Sequence, residues 1–253
     1  RDSHAGLFYV QEPSACSAVT VLAPQPGEKV LDLCAAPGGK STQIAGLLAG
    51  EGLLWSNEIV KSRAQVLLSN VERLGVANAV VSSCHPQRLC ESLQGFFDKV
   101  LVDAPCSGEG MFRRDPAAIA QWTPESPAAC AQRQRAILDS AALAVREEGV
   151  LVYSTCTFSR EENEDNVRWF LSAHPEFALV PIEAGFGRPG LENLPVRRIY
   201  PMDGGEGHFV AKFQRVGESS CKAGTFTAYL SRREEGEFQG LFEELFTLSL
   251  IHI

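Results

Sequence analysis

Long apolar runs, paired cysteines and an excess of basic residues are all missing from this sequence of 253 residues. No stretch approaches the roughly 18 uninterrupted apolar residues of a membrane helix, so a membrane-spanning protein is not expected. With 45% hydrophobic and 21% charged residues, the composition is typical of globular proteins and argues against disordered or collagen-like chains. The length suits one large α/β domain or two small ones.

The eight cysteines include no C-x-x-C pair and no Cys/His cluster at zinc spacing. In a chain of this length, that pattern indicates reduced thiols in a cytoplasmic protein rather than a disulfide framework. It also predicts no metal site.

The net charge of −8 argues mildly against nucleic-acid binding, because phosphate contacts need clustered Lys and Arg. The charge is uneven, however. Residues 216–253 contain six acids and three bases, which gives −3 and leaves −5 for the rest of the chain. The charge therefore lowers the expectation of a nucleic-acid partner without excluding it.

From residue 27 the sequence alternates short β-branched runs with longer helical patterns, which is typical of a parallel sheet covered on both faces. The predicted strands are Lys29–Cys34, Leu53–Glu58, Ala79–Ser83, Lys99–Asp103, Val150–Thr155 and His208–Arg215. The predicted helices are 12–22, Ser41–Ala49, Lys61–Leu74, Pro116–Trp122, Ser126–Arg146 and one opened by a capping box at 159–162 (SREE).

These elements predict three regions. Residues 1–26 form a segment that packs on the catalytic domain, residues 27–215 form that domain, and residues 216–253 begin a C-terminal region. The chain starts without Met and stops within an apolar stretch, so both ends are interpreted as cut.

A glycine-rich loop follows the first predicted strand, at residues 32–42 (DLCAAPGGKST). A glycine turn at this place in an α/β sheet lets a ligand approach the backbone at the carboxyl ends of the strands. The triphosphate-loop pattern requires Gly where Cys34 stands, and the dinucleotide pattern Gly-x-Gly-x-x-Gly is absent. Both of those ligands are therefore disfavoured.

Glu58 ends the second predicted strand, where a carboxylate can accept hydrogen bonds from two ribose hydroxyls. A tight glycine turn together with this acid suits an adenosine that carries no phosphate. S-adenosylmethionine is the common ligand of that description. The alternative interpretation of Glu58 is an ordinary surface acid.

Two cysteines follow neighbouring predicted strands: Cys106 in 103–110 (DAPCSGEG) and Cys156 in 153–157 (YSTCT). Because neighbouring strand ends meet in one crevice, both thiols are expected beside Asp103 and Lys40. A cysteine in such a crevice is suited to nucleophilic catalysis.

A thiolate beside a methyl donor suits a carbon that is a poor nucleophile, such as carbon-5 of cytosine. Addition of the thiolate at carbon-6 makes carbon-5 nucleophilic, while a group near N3 donates or shares a proton. A base then removes the carbon-5 proton and the thiolate leaves. Two alternatives remain: a methyltransferase for proteins or small molecules whose thiols are merely buried, and a non-catalytic ribosome-assembly factor that binds RNA.

Together these motifs resemble the Nop2/Sun family of RNA cytosine-C5 methyltransferases, especially its bacterial 16S rRNA-type members. The resemblance runs from about residue 6 to residue 215. It rests on the loops already described and on 6–15 (GLFYVQEPSA) and 205–209 (GEGHF). It implies an α/β fold of the Rossmann-like class I S-adenosylmethionine-dependent methyltransferases, with a mostly parallel seven-stranded sheet and helices on both faces.

The resemblance also implies roles for individual residues. Cys156 is the nucleophile, Cys106 assists release of the product, and Lys40 and Asp103 hold the target base by its polar edge. S-adenosylmethionine would lie against Cys34, Ala35, Ala36, Pro37, Gly38, Gly39, Lys40, Glu58, Arg63, His85 and Asp103.

One position departs from the family pattern. Members usually have an acid after the third strand that accepts from the adenine amine, and here His85 stands at that place. Either His85 or the backbone supplies the contact, or the affinity for the cofactor is lower.

The expected partner is RNA, either ribosomal RNA or the small ribosomal subunit, with transfer RNA as the alternative. DNA cytosine methyltransferases follow their Pro-Cys pair with Glu-Asn-Val, whereas Pro105-Cys106 precedes Ser-Gly-Glu-Gly, which favours RNA. A monomer is expected. The candidate RNA-facing residues are Arg113, Arg114, Arg160, Arg197, Arg198 and Tyr200, whereas Phe8 and Tyr9 are expected to pack.

Overall fold

The structure is a computed structural model that describes residue 6 and residues 8–217. In this part of the chain, seven α-helices pack on one nine-stranded sheet. The strands are β1 (Lys29–Asp32), β2 (Leu53–Asn57), β3 (Ala79–Ser82), β4 (Phe97–Asp103), β5 (Val145–Thr155), β6 (Phe177–Val180), β7 (Arg188–Pro189), β8 (Arg197–Ile199) and β9 (His208–Arg215). The helices are α1 (Ser17–Leu22), α2 (Gly39–Leu48), α3 (Lys61–Arg73), α4 (Pro86–Ser92), α5 (Pro116–Gln121), α6 (Ser126–Ala144) and α7 (Glu164–Ala173).

The strands lie in the order β3-β2-β1-β4-β5-β9-β8-β7, and β6 also pairs with β9. Strands β1 to β5 are parallel to one another, whereas β9 is antiparallel to its neighbours. The prediction of an α/β fold with a mostly parallel sheet is confirmed. Strands β1 to β6 and β9 make the expected seven, and the short β7–β8 hairpin extends the sheet to nine.

The strand order reverses at β1, because β2 lies on one side of it and β4 on the other. Ligands of open α/β sheets bind in the crevice that such a reversal leaves at the carboxyl ends of the strands. The loops that follow β1, β2, β4 and β5 all open there.

The central strands are buried on both faces, which explains their nearly continuous apolar sequences. Leu31 and Tyr153 belong to the core under α4, α6 and α7, whereas Val30 and Val152 belong to the core under α1 and α2. The two sets alternate because successive strand residues point to opposite faces. Both predicted helical layers are therefore present.

The start of β5 differs from the prediction. The strand begins at Val145 instead of Val150, and α6 ends at Ala144 instead of Arg146. Its first residues are irregular, since Glu148 has a φ of 60° and the register against β4 shifts between Phe97 and Lys99. This irregularity hid the beginning of the strand from a period-two pattern.

The predicted capping box at 159–162 is wrong. The Glu162 N–H donates to Ser159 Oγ at 3.4 Å, but α7 begins only at Glu164. The Glu162 carboxylate does not turn back to the helix end, because it is buried against the loop that contains Cys106. A tertiary contact thus overrides the local helix signal.

Leu7 and the C-terminal region from residue 218, including Cys221, lie outside the described residues. No helix in the described part of the chain is long and apolar enough to span a bilayer.

Candidate functional site

The glycine loop connects β1 to α2 and is held tightly by its neighbours. Gly38 has a φ of 117°, a conformation that favours glycine. A Cβ on Gly39 would lie 2.5 Å from Gln11 Oε1 and 3.0 Å from the Tyr9 ring, so the N-terminal segment rests directly on the loop. The side chain of Arg63 donates to the carbonyl of Ala36 at 3.0 Å and fixes the loop from the α3 side.

Two cavities meet at this loop. The larger one, of about 760 Å³, extends from Glu58 and His85 to the two thiols at Cys106 and Cys156. The smaller one, of about 200 Å³, lies between the glycine loop and the N-terminal segment. Both are lined by Cys34, Ala36 and Asp103.

The structure brings the predicted site residues together around these cavities. The larger cavity is lined by Cys34, Ala36, Glu58, Arg63, His85, Asp103, Cys106 and Cys156, and the smaller one adds Ala35, Pro37, Gly39 and Lys40. Gly38 lines neither of them and shapes the turn instead.

Glu58 lies directly after β2 and is almost fully buried. Its Oε1 accepts from the Val60 N–H at 2.9 Å, and its Oε2 lies 3.3 Å from Arg63 Nη1. The carboxylate is therefore fixed in orientation at the cavity wall. This placement disfavours the interpretation of Glu58 as a surface acid.

His85 is the N-cap of α4, a helix that the sequence pattern missed although Pro86 in its first turn is a helix-start signal. Its Nδ1 accepts from the Gln87 N–H at 3.3 Å. In the neutral imidazole, the proton then belongs to Nε2, which makes the free side of the ring a donor. His85 thus lines the cavity but does not replace a carboxylate acceptor.

Lys40 and Asp103 form a partly buried ion pair with a Nζ–Oδ2 distance of 2.7 Å. Ser154 Oγ donates to the other carboxylate oxygen at 2.7 Å. Burial alone would raise the pKa of Asp103, but the charge and the hydrogen bonds of its partners outweigh burial and lower it. The pKa of Lys40 is raised, because Asp103 outweighs the effect of burial there too. Lys40 therefore stays a cation and Asp103 an anion.

The two thiols are adjacent. Cys106 follows β4 and Cys156 follows β5, and their sulfurs are 3.2 Å apart. The hydrogen bond with Cys156 and burial raise the pKa of Cys106. The same hydrogen bond lowers the pKa of Cys156 against the effect of burial, while the nearby charges oppose each other, since Asp103 raises this pKa and Lys40 lowers it. Of the two thiols, Cys156 is the one whose pKa is lowered.

Sequence reasoning missed two buried groups beside the ion pair of Lys40 and Asp103. Asp32, at the end of β1, accepts from Ser41 Oγ at 2.7 Å, while its Oδ1 has no hydrogen-bond partner within the described residues. Burial raises the pKa of Asp32 to about 7. The Nε2 of His208 lies 3.7 Å from Asp103 Oδ1, and burial lowers the pKa of His208 to about 4. Asp32 stands inside the motif at 32–42 and His208 inside the motif at 205–209. Their place in these motifs is the signal that could have identified them.

The predicted RNA-facing residues divide into two groups. Arg113, Arg114 and Arg160 are exposed. Arg198 is wrong as a candidate, since it is 3% exposed and paired with the fully buried Glu164. It also donates to the carbonyl of Phe158, next to the Cys156 loop, at 3.0 Å. Its role in the structure is to support that loop.

The remaining aromatic and basic candidates are partly buried. Tyr200 stacks on Phe158 with ring centroids 5.5 Å apart, and Arg197 is partly exposed. Phe8 is 49% exposed, contrary to the expectation that it packs, whereas Tyr9 packs against the glycine loop.

Comparison with protein families matches residues 19–214 to the family described as 16S rRNA methyltransferase RsmB/F. Ribosomal RNA small subunit methyltransferase F of Klebsiella pneumoniae is 45% identical over 175 residues, which are 68% of this chain and 36% of that protein. The protein of the same name from Escherichia coli O157:H7 is 44% identical over 202 residues, covering 78% and 39%. The chain therefore spans about two fifths of the length of these relatives.

A similar solved structure is NSun6 from Pyrococcus horikoshii with SFG, an analogue of S-adenosylmethionine. It matches with a TM-score of 0.77 and 34% identity, over 86% of this chain and 56% of that one.

Proposed function

Because the chain belongs to the 16S rRNA methyltransferase RsmB/F family, we propose that it methylates carbon-5 of a cytosine in ribosomal RNA through a covalent adduct on Cys156. The methyl group comes from S-adenosylmethionine. The observation that supports this most directly is the pair of thiols 3.2 Å apart, at the wall of one cavity with Glu58 and Asp103. A methyltransferase that does not use thiols has no need for this pair.

The residues around the cavities fit S-adenosylmethionine. The volumes of the two cavities together are in the range of small-molecule sites. Glu58 presents a fixed carboxylate suited to the ribose hydroxyls. In the smaller cavity, Asp32 Oδ1 is an acceptor and Gln11 Nε2 a donor, and neither has a partner within the described residues. An unpaired acceptor and an unpaired donor suit the ammonium and the carboxylate at the amino-acid end of the cofactor.

The first chemical step is the addition of the Cys156 thiolate to carbon-6 of the cytosine. The lowered pKa of Cys156 favours the thiolate, and Cys106, 3.2 Å away, is placed to stabilise it by donating its S–H. Lys40 is suited to donate to N3 as charge develops there, because its own pKa is raised and it remains protonated. Asp103, held as a carboxylate, is suited to accept from the exocyclic amine.

When bound, S-adenosylmethionine supplies the electrophilic methyl group that carbon-5 attacks. A base then removes the carbon-5 proton and the bond between Cys156 and carbon-6 breaks, which returns the thiolate. We assign assistance in this release to Cys106, the group adjacent to the leaving sulfur. The target base must lie outside its helical stack, since carbon-5 is otherwise out of reach.

The experiment that tests this function compares wild type, Cys106→Ala and Cys156→Ala after incubation with S-adenosylmethionine and cytosine-containing ribosomal RNA. We expect a denaturant-resistant protein–RNA adduct on a denaturing gel with Cys106→Ala and none with Cys156→Ala. Cys156→Ala should also lose methyl transfer while it still binds the cofactor. The opposite adduct pattern would exchange the roles of the two thiols.

Transfer RNA and unmodified ribosomal RNA in parallel reactions distinguish the possible RNA substrates. Cofactor binding with no methyl transfer to either RNA would support a ribosome-assembly role instead.

A further inference from the structure

The two cysteine loops are tied to each other beyond the end of the sheet. Glu109, in the loop that contains Cys106, accepts from Thr157 Oγ1 at 2.9 Å and from the Phe158 N–H at 2.8 Å. Glu162, which follows the Cys156 loop, accepts from the Ser107 N–H at 3.0 Å and from the Ser107 hydroxyl. A carboxylate from each segment thus accepts hydrogen bonds from the other segment. We call this arrangement of Glu109, Glu162, Ser107 and Thr157 the carboxylate clasp.

The centre of the clasp leaves little freedom. Ser107 Oγ and Thr157 Oγ1 are 2.8 Å apart, and the Gly110 N–H donates to the carbonyl of Cys156 at 2.8 Å. A Cβ on Gly110 would lie 2.7 Å from that carbonyl oxygen, so only glycine allows the loops to approach this closely. The 3.2 Å separation of the two sulfurs depends on this approach.

Neither carboxylate of the clasp lines the cavity. Glu162 is fully buried and also accepts from Gln134 Nε2 at 2.7 Å. A buried carboxylate is costly unless hydrogen bonds satisfy it, so its presence behind a reactive loop requires a reason. Because Glu162 is buried behind the loop, its role is one that acts through the cysteines.

The charge of the clasp is unevenly placed with respect to the two thiols. Glu162 lies behind the loop of Cys106, and its charge adds to the effects of the Cys156 hydrogen bond and of burial in raising the pKa of Cys106. Cys156 faces the pair of Lys40 and Asp103 instead, where Lys40 lowers its pKa and Asp103 raises it. The buried carboxylate of Glu162 therefore favours the protonated form of Cys106, while the hydrogen bond with Cys106 lowers the pKa of Cys156.

We propose that Glu109 and Glu162 are positioning residues that hold the two cysteine loops together and assign the proton to Cys106, so that Cys156 alone is the nucleophile. This inference rests on the proposed function of Cys156. It adds a specific prediction. The two thiols are the same chemical group, and the carboxylate clasp makes the pKa and the reactivity of Cys106 differ from those of Cys156.

The test measures the alkylation of each cysteine by iodoacetamide between pH 6 and 9, with mass spectrometry of the peptides, in the full chain without RNA. Wild type should react first at Cys156. In Glu162→Gln, the ratio of Cys156 to Cys106 labelling should fall, because the charge that raises the pKa of Cys106 is removed. In Glu109→Gln, the pH at which Cys156 is half as reactive as its maximum should rise, since the loop loses its support.

Glu161→Gln is the matched control, because Glu161 is the exposed neighbour of Glu162. It should keep the wild-type ratio and pH profile. Ser107→Ala removes one hydroxyl of the clasp and provides the test if Glu162→Gln does not fold. Its labelling ratio should move in the same direction, with an unchanged cofactor affinity.

The outcomes separate this inference from the proposed function. Equal labelling of both cysteines in wild type would overturn the assignment of Cys156 as the nucleophile. Preferential labelling of Cys156 that persists unchanged in Glu109→Gln, Glu162→Gln and Ser107→Ala would leave that assignment intact and overturn the clasp.

Discussion

At the residue scale, Asp32 and Asp103 show how one cation, Lys40, gives two neighbouring aspartates different pKa values. Asp32 and Asp103 end the adjacent strands β1 and β4. Lys40 pairs directly with Asp103, whose pKa is lowered, and among the described residues Asp32 has no ion pair. Burial then raises the pKa of Asp32 to about 7. The same residue type is thus an anion at one position and a titrating group at the other.

This difference predicts a pH dependence of stability. The pKa of Asp32 is about 7 in the folded protein and near 3.8 in the unfolded chain, so the folded state binds more protons between these values. Asp32 therefore reduces stability progressively as pH rises from about 4 to about 7. The melting temperature of Asp32→Asn, relative to wild type, should rise by several degrees across that window and level off above it.

The measurement is thermal unfolding of both proteins from pH 4 to 8 without cofactor. Other titrating groups are shared by the two proteins and cancel in the difference. A difference that does not change with pH would show that Asp32 does not titrate in this range.

Glu58 provides a second prediction at this scale. Glu58→Ala should weaken the binding of S-adenosylmethionine by about tenfold or more, because hydrogen bonds to a charged group contribute about 1.5–3 kcal/mol. Isothermal titration calorimetry measures this affinity directly. Glu51→Ala, at an exposed acid just before β2, should bind like wild type. Unchanged affinity in Glu58→Ala would remove this residue from the cofactor site.

At the scale of elements, α7 and β8 support the loop that contains the nucleophile. Glu164 of α7 and Arg198 of β8 form a buried ion pair, and Arg198 also donates to the carbonyl of Phe158. The adjacent arginines at 197 and 198 suggested an RNA-binding face. In a strand, however, successive side chains point to opposite sides, so one of the pair turns inward. The sequence alone did not say which.

The buried pair predicts a loss of stability on truncation. Arg198→Ala should destabilise the protein by about 3–5 kcal/mol, because it leaves the Glu164 carboxylate buried without its partner. Urea unfolding of this variant and of Arg114→Ala, at an exposed arginine, checks the expectation. Stability like that of Arg114→Ala would mean that Arg198 does not support the fold.

The elements that were predicted from sequence and those that were missed differ in a physical way. The central strands, such as β1 and β2, were predicted because strands that are buried on both faces have nearly continuous apolar sequences. The short strands β6, β7 and β8 were missed because they depend on pairing with β9 or with each other. A strand of two to four residues has too little periodicity to be read alone.

At the scale of the whole molecule, the fold closes on β9, which pairs with β5, β6 and β8. The sheet therefore includes residues up to Arg215. A chain that ends at Gly217 should keep its melting temperature within about 2 °C and its affinity for S-adenosylmethionine. A chain that ends at Gly207, and so lacks β9, should not fold.

Calorimetry and thermal unfolding of the two shortened chains provide the measurement. A fall of more than about 5 °C for the chain that ends at Gly217 would show that residues 218–253 stabilise this domain. That size of change corresponds to one or more kcal/mol in a protein of this length.

The sequence by itself determined the sheet-and-helix alternation, the glycine loop, and the placement of Glu58, Cys106 and Cys156 at the carboxyl ends of strands. All of these follow from local patterns, since parallel strands place their following loops at one edge. Only the tertiary structure decided the 3.2 Å contact between the thiols, the difference in their pKa values, and the burial of Glu162 and Arg198. These properties depend on contacts between side chains that are distant in the sequence, and local sequence patterns contain no information about such contacts.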